Sequence, residues 1–272
     1  MNAAMVGMTE IPRPDRISAL RDERLQVLTM CKGLTEREWL APSAASGWRV
    51  KDVISHLGAG CHALFTPASL RVLRSKDIER TNDDMVNGRR DWAAQKVLEE
   101  YTRWSARATR LAQVVTATPV GALRVPLAEL GTFRLGLLLT GAMVFDQHTH
   151  LRFDIAPAVG RPAPRTDANR MTVVLEWMLA VLTNQMQKAD TAWMDRPLQL
   201  TLTGPGGSSW SITGDTGVLS GRARGPAGAT ITGVALQFPE WATGRAQWRD
   251  REVTVSGDCA YGERFLDFVK VV

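Results

Sequence analysis

The apolar residues of this 272-residue chain change their spacing near residue 198, and that change constrains the fold most. In the first part they recur every three to four positions, which is typical of amphipathic helices. Around 198–212 they alternate with polar neighbours, which is typical of half-buried strands. A proline- and glycine-rich segment at 157–164 predicts a linker, and one further helical stretch lies between it and the alternating pattern. The sequence therefore predicts two domains, one at 1–158 and one at 165–272.

The first domain is expected to be an all-α four-helix bundle, because four long helical patterns are joined by moderate loops. The predicted helices cover 15–32, 50–67 with further helix to 74, 91–117 and 132–156, and 75–88 is predicted to be a polar loop. The second domain is expected to be α+β. It should contain a helix at 167–188, a hairpin that turns at 204–207, further strands at 217–222, 229–232 and 252–256, and helices at 234–248 and 260–269.

Composition excludes several classes of protein. The net charge of +5 and the sequence pI near 9.4 permit an anionic ligand. The 33 basic residues are scattered, however, with no run beyond Arg89–Arg90, so a nucleic-acid surface is not expected. The most apolar stretch, Leu135–Phe145, is too short to span a bilayer. Three widely spaced cysteines and the absence of a signal-like N-terminus predict a reducing, cytoplasmic location.

The histidines mark the best candidate site. The chain has four, and His56 lies in an amphipathic stretch just after a turn. Asp146 and His150 are four residues apart, so on a helix they project from one face. Two ligands on one helix and a third on another leave a position open for an exchangeable ligand, which is typical of catalytic zinc. His148 and His62 are not expected to share that face.

Residues 48–57 read W-R-V-K-D-V-I-S-H-L, which resembles the tryptophan-to-histidine signature of DinB-like bundles, and specifically of the mycothiol-dependent maleylpyruvate isomerase family. That family pairs the first histidine with an E-x-x-x-H motif on the fourth helix, and here Asp146 replaces the glutamate. Gly244-Arg245 and the segment 255–258 are similar to the family's sterol-carrier-like C-terminal domain. The resemblance covers nearly the whole chain.

The resemblance implies a divalent metal, usually zinc, at His56, Asp146 and His150. It also implies mycothiol, an actinobacterial thiol, as cosubstrate. Asn87 and Arg90 lie where the family often has an asparagine before the third helix, so they are candidate thiol contacts, although a helix cap or solvated face would also explain them. Arg245 is a candidate contact to an anionic ligand across the domain cleft, with a surface ion pair as the alternative.

The expected function is a metal- and mycothiol-dependent transferase or isomerase that acts on a small electrophilic substrate bearing a carboxylate. No catalytic residue is identified, and no nucleophile elbow, Walker loop or dinucleotide fingerprint occurs. Two alternatives stay open. One is a biosynthetic enzyme that uses the same pocket without a thiol, and the other is a metal-free ligand-binding or interaction protein. The expected partners are a small substrate and a thiol, with no nucleic acid and no membrane, in a monomer or homodimer.

Overall fold

Helices dominate the first half of the chain. The computed structural model describes residues 15–221, 223 and 225–271. The elements before the fourth long helix are α1 (Arg16–Lys32), α2 (Glu36–Trp39), α3 (Val50–Ala63), α4 (Ala68–Leu73), α5 (Ile78–Asn87), α6 (Ala94–Thr116), β1 (Arg124–Leu127) and β2 (Gly131–Arg134).

The fourth long helix is continuous but contains two wider π turns. It consists of α7 (Leu135–Leu137), a π turn at Leu138–Ala142, α8 (Met143–Thr149), a second π turn at His150–Ile155, and α9 (Ala156–Ala158). Single π turns within α-helices occur frequently at functional sites. The second π turn starts at His150 itself, so the candidate site and the helix irregularity coincide.

The long helices pack around a shared apolar core. α3 and α6 make the most extensive contact, and α1 and the α7–α9 helix complete the group. Val27, Ile54, Tyr101 and Leu151 come from these four helices and are fully buried. Gly58 lets α3 approach α6 closely, because a Cβ there would lie 3.2 Å from the backbone nitrogen of Tyr101.

Two local predictions for this half are wrong. Residues 78–87 form α5 instead of a loop: the Asp77 side chain accepts the backbone N–H of Arg80 and caps a surface helix that buries little beyond Val86. The β1–β2 hairpin occupies the start of the predicted fourth helix, so this helix begins at Leu135 and not near residue 132. α5 buries only Val86, and each four-residue strand of the hairpin buries one side chain, Leu127 or Phe133, so hydrophobic periodicity gives little signal for either element.

The second half contains a five-stranded mixed sheet. It begins with α10 (Ala168–Lys188) and continues with β3 (Leu198–Thr203), β4 (Ser209–Thr213), β5 (Gly217–Ser220), β6 (Ala229–Val234), α11 (Phe238–Ala242), β7 (Thr254–Gly257) and α12 (Cys259–Phe268). The strand order is β5-β4-β3-β6-β7, and β3 and β6 are the parallel pair. The helix predicted at 234–248 is much shorter than expected, and residue 222, in the predicted strand 217–222, lies outside the described residues.

Helix α10 joins the two halves. It contacts α1 and α8 on one side and the sheet and α11 on the other, so one apolar cluster contains both Leu20 and Val144 from the first half and Leu198 and Phe238 from the second. The prediction of a helical N-terminal region followed by a sheet-containing C-terminal domain is confirmed. None of the helices in the described ranges is long and apolar enough to cross a membrane.

A buried ion-pair cluster lies at the same junction. The Glu23 carboxylate, on α1, accepts a hydrogen bond of 2.8 Å from Nη1 of Arg152 on the α7–α9 helix. Arg170, on α10, lies 3.5 Å from the other Glu23 oxygen. All three side chains are nearly inaccessible to solvent. Because Arg170 lies on α10 and the other two residues lie on earlier helices, the cluster connects the two halves through ion pairs as well as through apolar contact.

Candidate metal centre

The start of α3 is fixed by its own motif residues. The Asp52 carboxylate accepts the backbone N–H of Arg49 at 3.0 Å and its Nε at 2.9 Å. Nζ of Lys51 donates to the carbonyls of Arg90 and Trp92 at 2.9 and 2.8 Å, which ties the loop before α6 to the same helix end. These contacts satisfy polar groups at the helix N-terminus and so define the position of the second turn, where His56 lies.

His56, Asp146 and His150 converge. One potential ligand atom from each of the three lies within 4.8 Å of the other two, and His56 Nε2 is 3.8 Å from Asp146 Oδ2. His56 comes from α3, while Asp146 and His150 are one turn apart on the facing helix. Among the residues the structure describes, no other set of three histidine, cysteine or acidic side chains is grouped this closely.

The environment of His56 keeps its ring neutral. Burial, reinforced by the neighbouring His150 and Arg245, lowers the pKa of His56 to about 3. Its Nδ1 is buried and has no hydrogen-bond partner among the described residues. A metal binds the neutral form of imidazole, through a nitrogen lone pair, so this ring is in the state that coordination requires.

His150 is held by a second carboxylate. Its Nδ1 lies 2.6 Å from Oδ2 of Asp154, which is one turn further along the same helix and fully buried. Arg245, from the C-terminal domain, donates to both oxygens of that carboxylate at 2.7–3.2 Å. Burial raises the pKa of the Asp154 carboxyl, but the hydrogen bonds from His150 and Arg245 outweigh it and hold this pKa at about 2.

Asp154 was not identified from the sequence. The sequence does contain a pattern that points to Asp154, because Asp146, His150 and Asp154 follow one another at intervals of four residues. That spacing extends the candidate face of the helix by one turn.

Trp48 forms one wall of the site. Its ring centroid lies 5.1 Å from that of His56 and 6.2 Å from that of His150, and its indole N–H donates to Asp83 at 2.8 Å. The tryptophan of the motif therefore contacts the rings of two candidate ligands. This placement associates it with the site and not only with the packing of the core.

Asn87 and Arg90 lie beside the loop that carries Trp48. Nε of Arg90 donates to the Asn87 side-chain oxygen at 2.6 Å, and Nη1 of Arg90 is 3.4 Å from the Gly47 carbonyl and 3.5 Å from Asp52. The two residues thus contact each other and the rim of the site. Their predicted contact with a thiol stays a prediction, as does the contact of Arg245 with an anionic ligand, since Arg245 here bonds Asp154 and Thr243.

The other two histidines are elsewhere. His62 bonds Glu100 at 2.9 Å and stacks on Trp104 with ring centroids 4.1 Å apart. His148 is fully buried, and neither ring nitrogen has a hydrogen-bond partner among the described residues. Burial, together with Arg152 and Arg170, lowers the pKa of His148 well below its usual range.

The three converging residues fit a zinc-like ion. Two nitrogens and one carboxylate oxygen are a donor set that zinc accepts, and bonds of about 2.0–2.2 Å would place tetrahedral ligands about 3.4 Å apart. The three potential ligand atoms lie within 4.8 Å of one another, so their separations would need to shorten by at most about 1.4 Å on metal binding. Three protein ligands leave a fourth position for an exchangeable group.

The fold and the site thus define a helical region with a candidate three-ligand metal centre, followed by a sheet-containing domain that contacts the centre's neighbour Asp154 through Arg245. Residues 20–151 match the family described as the mycothiol maleylpyruvate isomerase N-terminal domain. The resemblance of the helical region to that family is therefore confirmed.

Two solved structures share the fold across nearly the whole chain. Crystal structures of a mycothiol-dependent maleylpyruvate isomerase and of its histidine-to-alanine variant align with TM-scores of 0.55 and 0.56, at 16% and 17% identity. Each alignment covers 93% of this chain and 96% of the other. The comparison with curated proteins found no match to the sequence.

Proposed function

We propose that this protein is a metal- and mycothiol-dependent transferase or isomerase that acts on a small electrophilic substrate bearing a carboxylate. The observation that carries the proposal is the convergence of His56, Asp146 and His150 in a region of the mycothiol maleylpyruvate isomerase family. The proposal includes zinc as the metal, a four-helix bundle as the first domain and a sterol-carrier-like second domain.

The cysteines of the chain support an external thiol as the nucleophile. Burial raises the pKa of both Cys31 and Cys61 to about 12, so neither is a thiolate at neutral pH. Cys259 is exposed on α12 in the other domain. A metal held by the three ligands would keep a bound thiol deprotonated at neutral pH.

The chemistry that follows is an addition to a conjugated double bond. The thiolate sulfur forms a C–S bond, and the π electron pair moves onto the conjugated carbonyl. Rotation about the new single bond and elimination of the thiolate give the geometric isomer and regenerate the thiol. If the resulting enolate is instead protonated at its α-carbon, next to the carbon that carries sulfur, the product is an S-conjugate and the thiol is consumed.

The chain's own residues would bind and orient the reactants. Trp48 covers one side of the two histidines and excludes water from that side. Arg90, with Asn87 beside it, offers cationic and amide contacts at the rim for the thiol. Arg245 has N–H groups beyond those that bond Asp154 and Thr243, and we assign them to the substrate carboxylate.

The experiment is turnover with and without thiol. Zinc-loaded protein is incubated with maleylpyruvate, the substrate named for the structural relatives, in the presence and absence of mycothiol, and both product geometry and free thiol are measured. The proposal predicts turnover with thiol only. Replacing Cys31, Cys61 and Cys259 together with serine should leave that turnover largely intact.

Each outcome separates the alternatives. Isomer with constant thiol indicates an isomerase, and loss of thiol indicates a transferase. Turnover at full rate without thiol and after exhaustive chelation would contradict the proposal and favour a biosynthetic enzyme. Binding of the substrate without any turnover would instead favour a ligand-binding protein on the same scaffold.

A further inference from the structure

Asp154 connects the candidate metal centre to the C-terminal domain. Its carboxylate is fully buried between the His150 ring, 12% exposed, and the Arg245 guanidinium, 21% exposed. A buried carboxylate is costly unless it is paired and hydrogen-bonded, and here both partners serve other parts of the molecule. His150 belongs to the metal centre and Arg245 to the other domain.

The hydrogen bond to Asp154 decides which nitrogen of His150 faces the site. A ring that donates its Nδ1–H to a carboxylate carries its free lone pair on Nε2. Such a carboxylate fixes the orientation and tautomer of a metal-ligating histidine and raises its basicity. His56 has no equivalent contact, because its buried Nδ1 has no hydrogen-bond partner among the described residues.

The backbone around Arg245 aims the guanidinium at Asp154. Helix α11 ends in a Schellman turn, in which the N–H of Gly244 bonds the Trp241 carbonyl and the N–H of Arg245 bonds the Glu240 carbonyl. Gly244 has φ +72°, the left-handed conformation that this turn requires. The Thr243 hydroxyl, which donates to Pro239, accepts a 2.8 Å bond from Arg245 Nη1.

We propose that Asp154 is a positioning residue that orients His150 toward the metal, and that Arg245 holds Asp154 in place, so that the C-terminal domain sets the geometry of the metal centre. This inference rests on the proposed function, because it assigns Asp154 a role toward the metal that the three ligands bind. Neither residue is assigned a contact with the ion itself.

The test measures metal affinity on the full-length chain. Metal-free wild type and variants are titrated with zinc against a competing chelator, and with cobalt(II), whose visible absorption reports ligand geometry. Asp154→Asn keeps the side-chain shape but weakens the acceptor, and it should lower zinc affinity by about 10–100-fold, as expected for loss of a carboxylate behind a metal-bound histidine. The cobalt spectrum should change with it.

Arg245→Gln should weaken affinity by a smaller factor, about three- to tenfold, because the carboxylate remains but loses its clamp. In the double variant the Arg245 change should add little, since its effect passes through Asp154. Arg251→Gln is the matched control: Arg251 makes a bidentate pair with Glu240 in the same domain and is 27% exposed. It should bind zinc like the wild type.

A role in positioning the metal ligand is distinguished from a role in stability alone by comparing the unfolding temperature of each variant with and without zinc. The zinc-induced rise in unfolding temperature should shrink in Asp154→Asn and Arg245→Gln beyond any loss of stability in the metal-free state. If Asp154→Asn does not fold, Arg245→Gln alone carries the test, and unchanged affinity there overturns the inference.

The outcomes distinguish this inference from the proposed function. Wild-type protein that binds no metal overturns both. Wild-type protein that binds zinc, with Asp154→Asn equal to it in affinity and in cobalt spectrum, overturns the positioning role alone and leaves the proposed function standing.

Discussion

His56 Nε2 lies 3.8 Å from Asp146 Oδ2, although the two residues belong to different helices and are separated by most of the helical region. The relationship depends on α3 facing the α7–α9 helix, because Ile54 on α3 shares one apolar cluster with Leu151 and Ile155 in the second π turn. The carboxylate ligand of the three candidates is thus an aspartate, whose side chain is one methylene shorter than that of glutamate.

Asp146 should bind the metal through its charge. Asp146→Asn keeps the shape but removes the anionic oxygen, so zinc affinity should fall at least about tenfold, as for other losses within a metal site. Asp146→Glu restores the residue type of the related motif and reaches one methylene further, so it should keep affinity within about tenfold of the wild type. Competition with a chelator measures both. Equal affinity in Asp146→Asn would remove Asp146 from the ligand set.

The metal-free protein should lose stability as pH falls below about 6.5. His56 and His148 both have a folded-state pKa far below the unfolded value of about 6.5. Between these values the unfolded chain binds more protons, so acid favours unfolding, by at most about 1.4 kcal/mol per pH unit for each histidine. Urea unfolding of metal-free protein between pH 7.5 and 5 measures the slope.

His148→Leu is the matched variant for the acid prediction. It removes a buried ring whose nitrogens have no described hydrogen-bond partner, so the slope of stability against pH should decrease while zinc binding is retained. A slope equal to that of the wild type would show that His148 does not titrate on unfolding in this range.

The ion-pair cluster at the domain junction should be needed for stability. Glu23→Gln removes the carboxylate that pairs with Arg152, whereas Arg170 keeps its 2.8 Å pair with Asp167. An uncompensated buried charge such as that left on Arg152 typically costs about 3–5 kcal/mol. Chemical denaturation monitored by circular dichroism gives the change. Glu263→Gln is the control, because its pair with Arg249 is about half exposed and should have no measurable effect.

The turn that carries Arg245 should affect the metal centre at a distance. Gly244→Ala forces an alanine to φ +72°, which costs roughly 1–2 kcal/mol, and the displaced Arg245 should weaken zinc binding. Gly204→Ala is matched, since its φ is +88° and a Cβ would also meet no atom within 4 Å. It should lower stability similarly without changing zinc affinity. Equal zinc affinity in both variants would exclude the effect.

Much of the fold could be predicted because the long helices and the central strands have a clear hydrophobic period. The ends of α1, α6 and α10 fall within a few residues of those expected. Surface elements such as α5 and the β1–β2 hairpin could not be predicted, because they bury few apolar residues and their formation depends on local caps and pairing.

The candidate ligands could be predicted, but their supporting contacts could not. The interval between Asp146 and His150 places both on one helix face, and the resemblance of the tryptophan motif singles out His56. The bond from Arg245 to Asp154 joins residues from two domains, and no spacing within either helix reveals it. The apolar core that the two halves share around α10 could not be predicted either, because dividing the chain at its linker assigns α10 to the second domain alone.

The most direct test is the zinc content of protein purified without chelator. We expect about one ion per wild-type chain and almost none in His56→Ala or His150→Ala, because each loses one of three protein ligands. His62→Ala, altered on the same helix as His56 but outside the site, should retain the full amount. Wild-type protein without metal, or full zinc in both His56→Ala and His150→Ala, would contradict a metal centre at these residues.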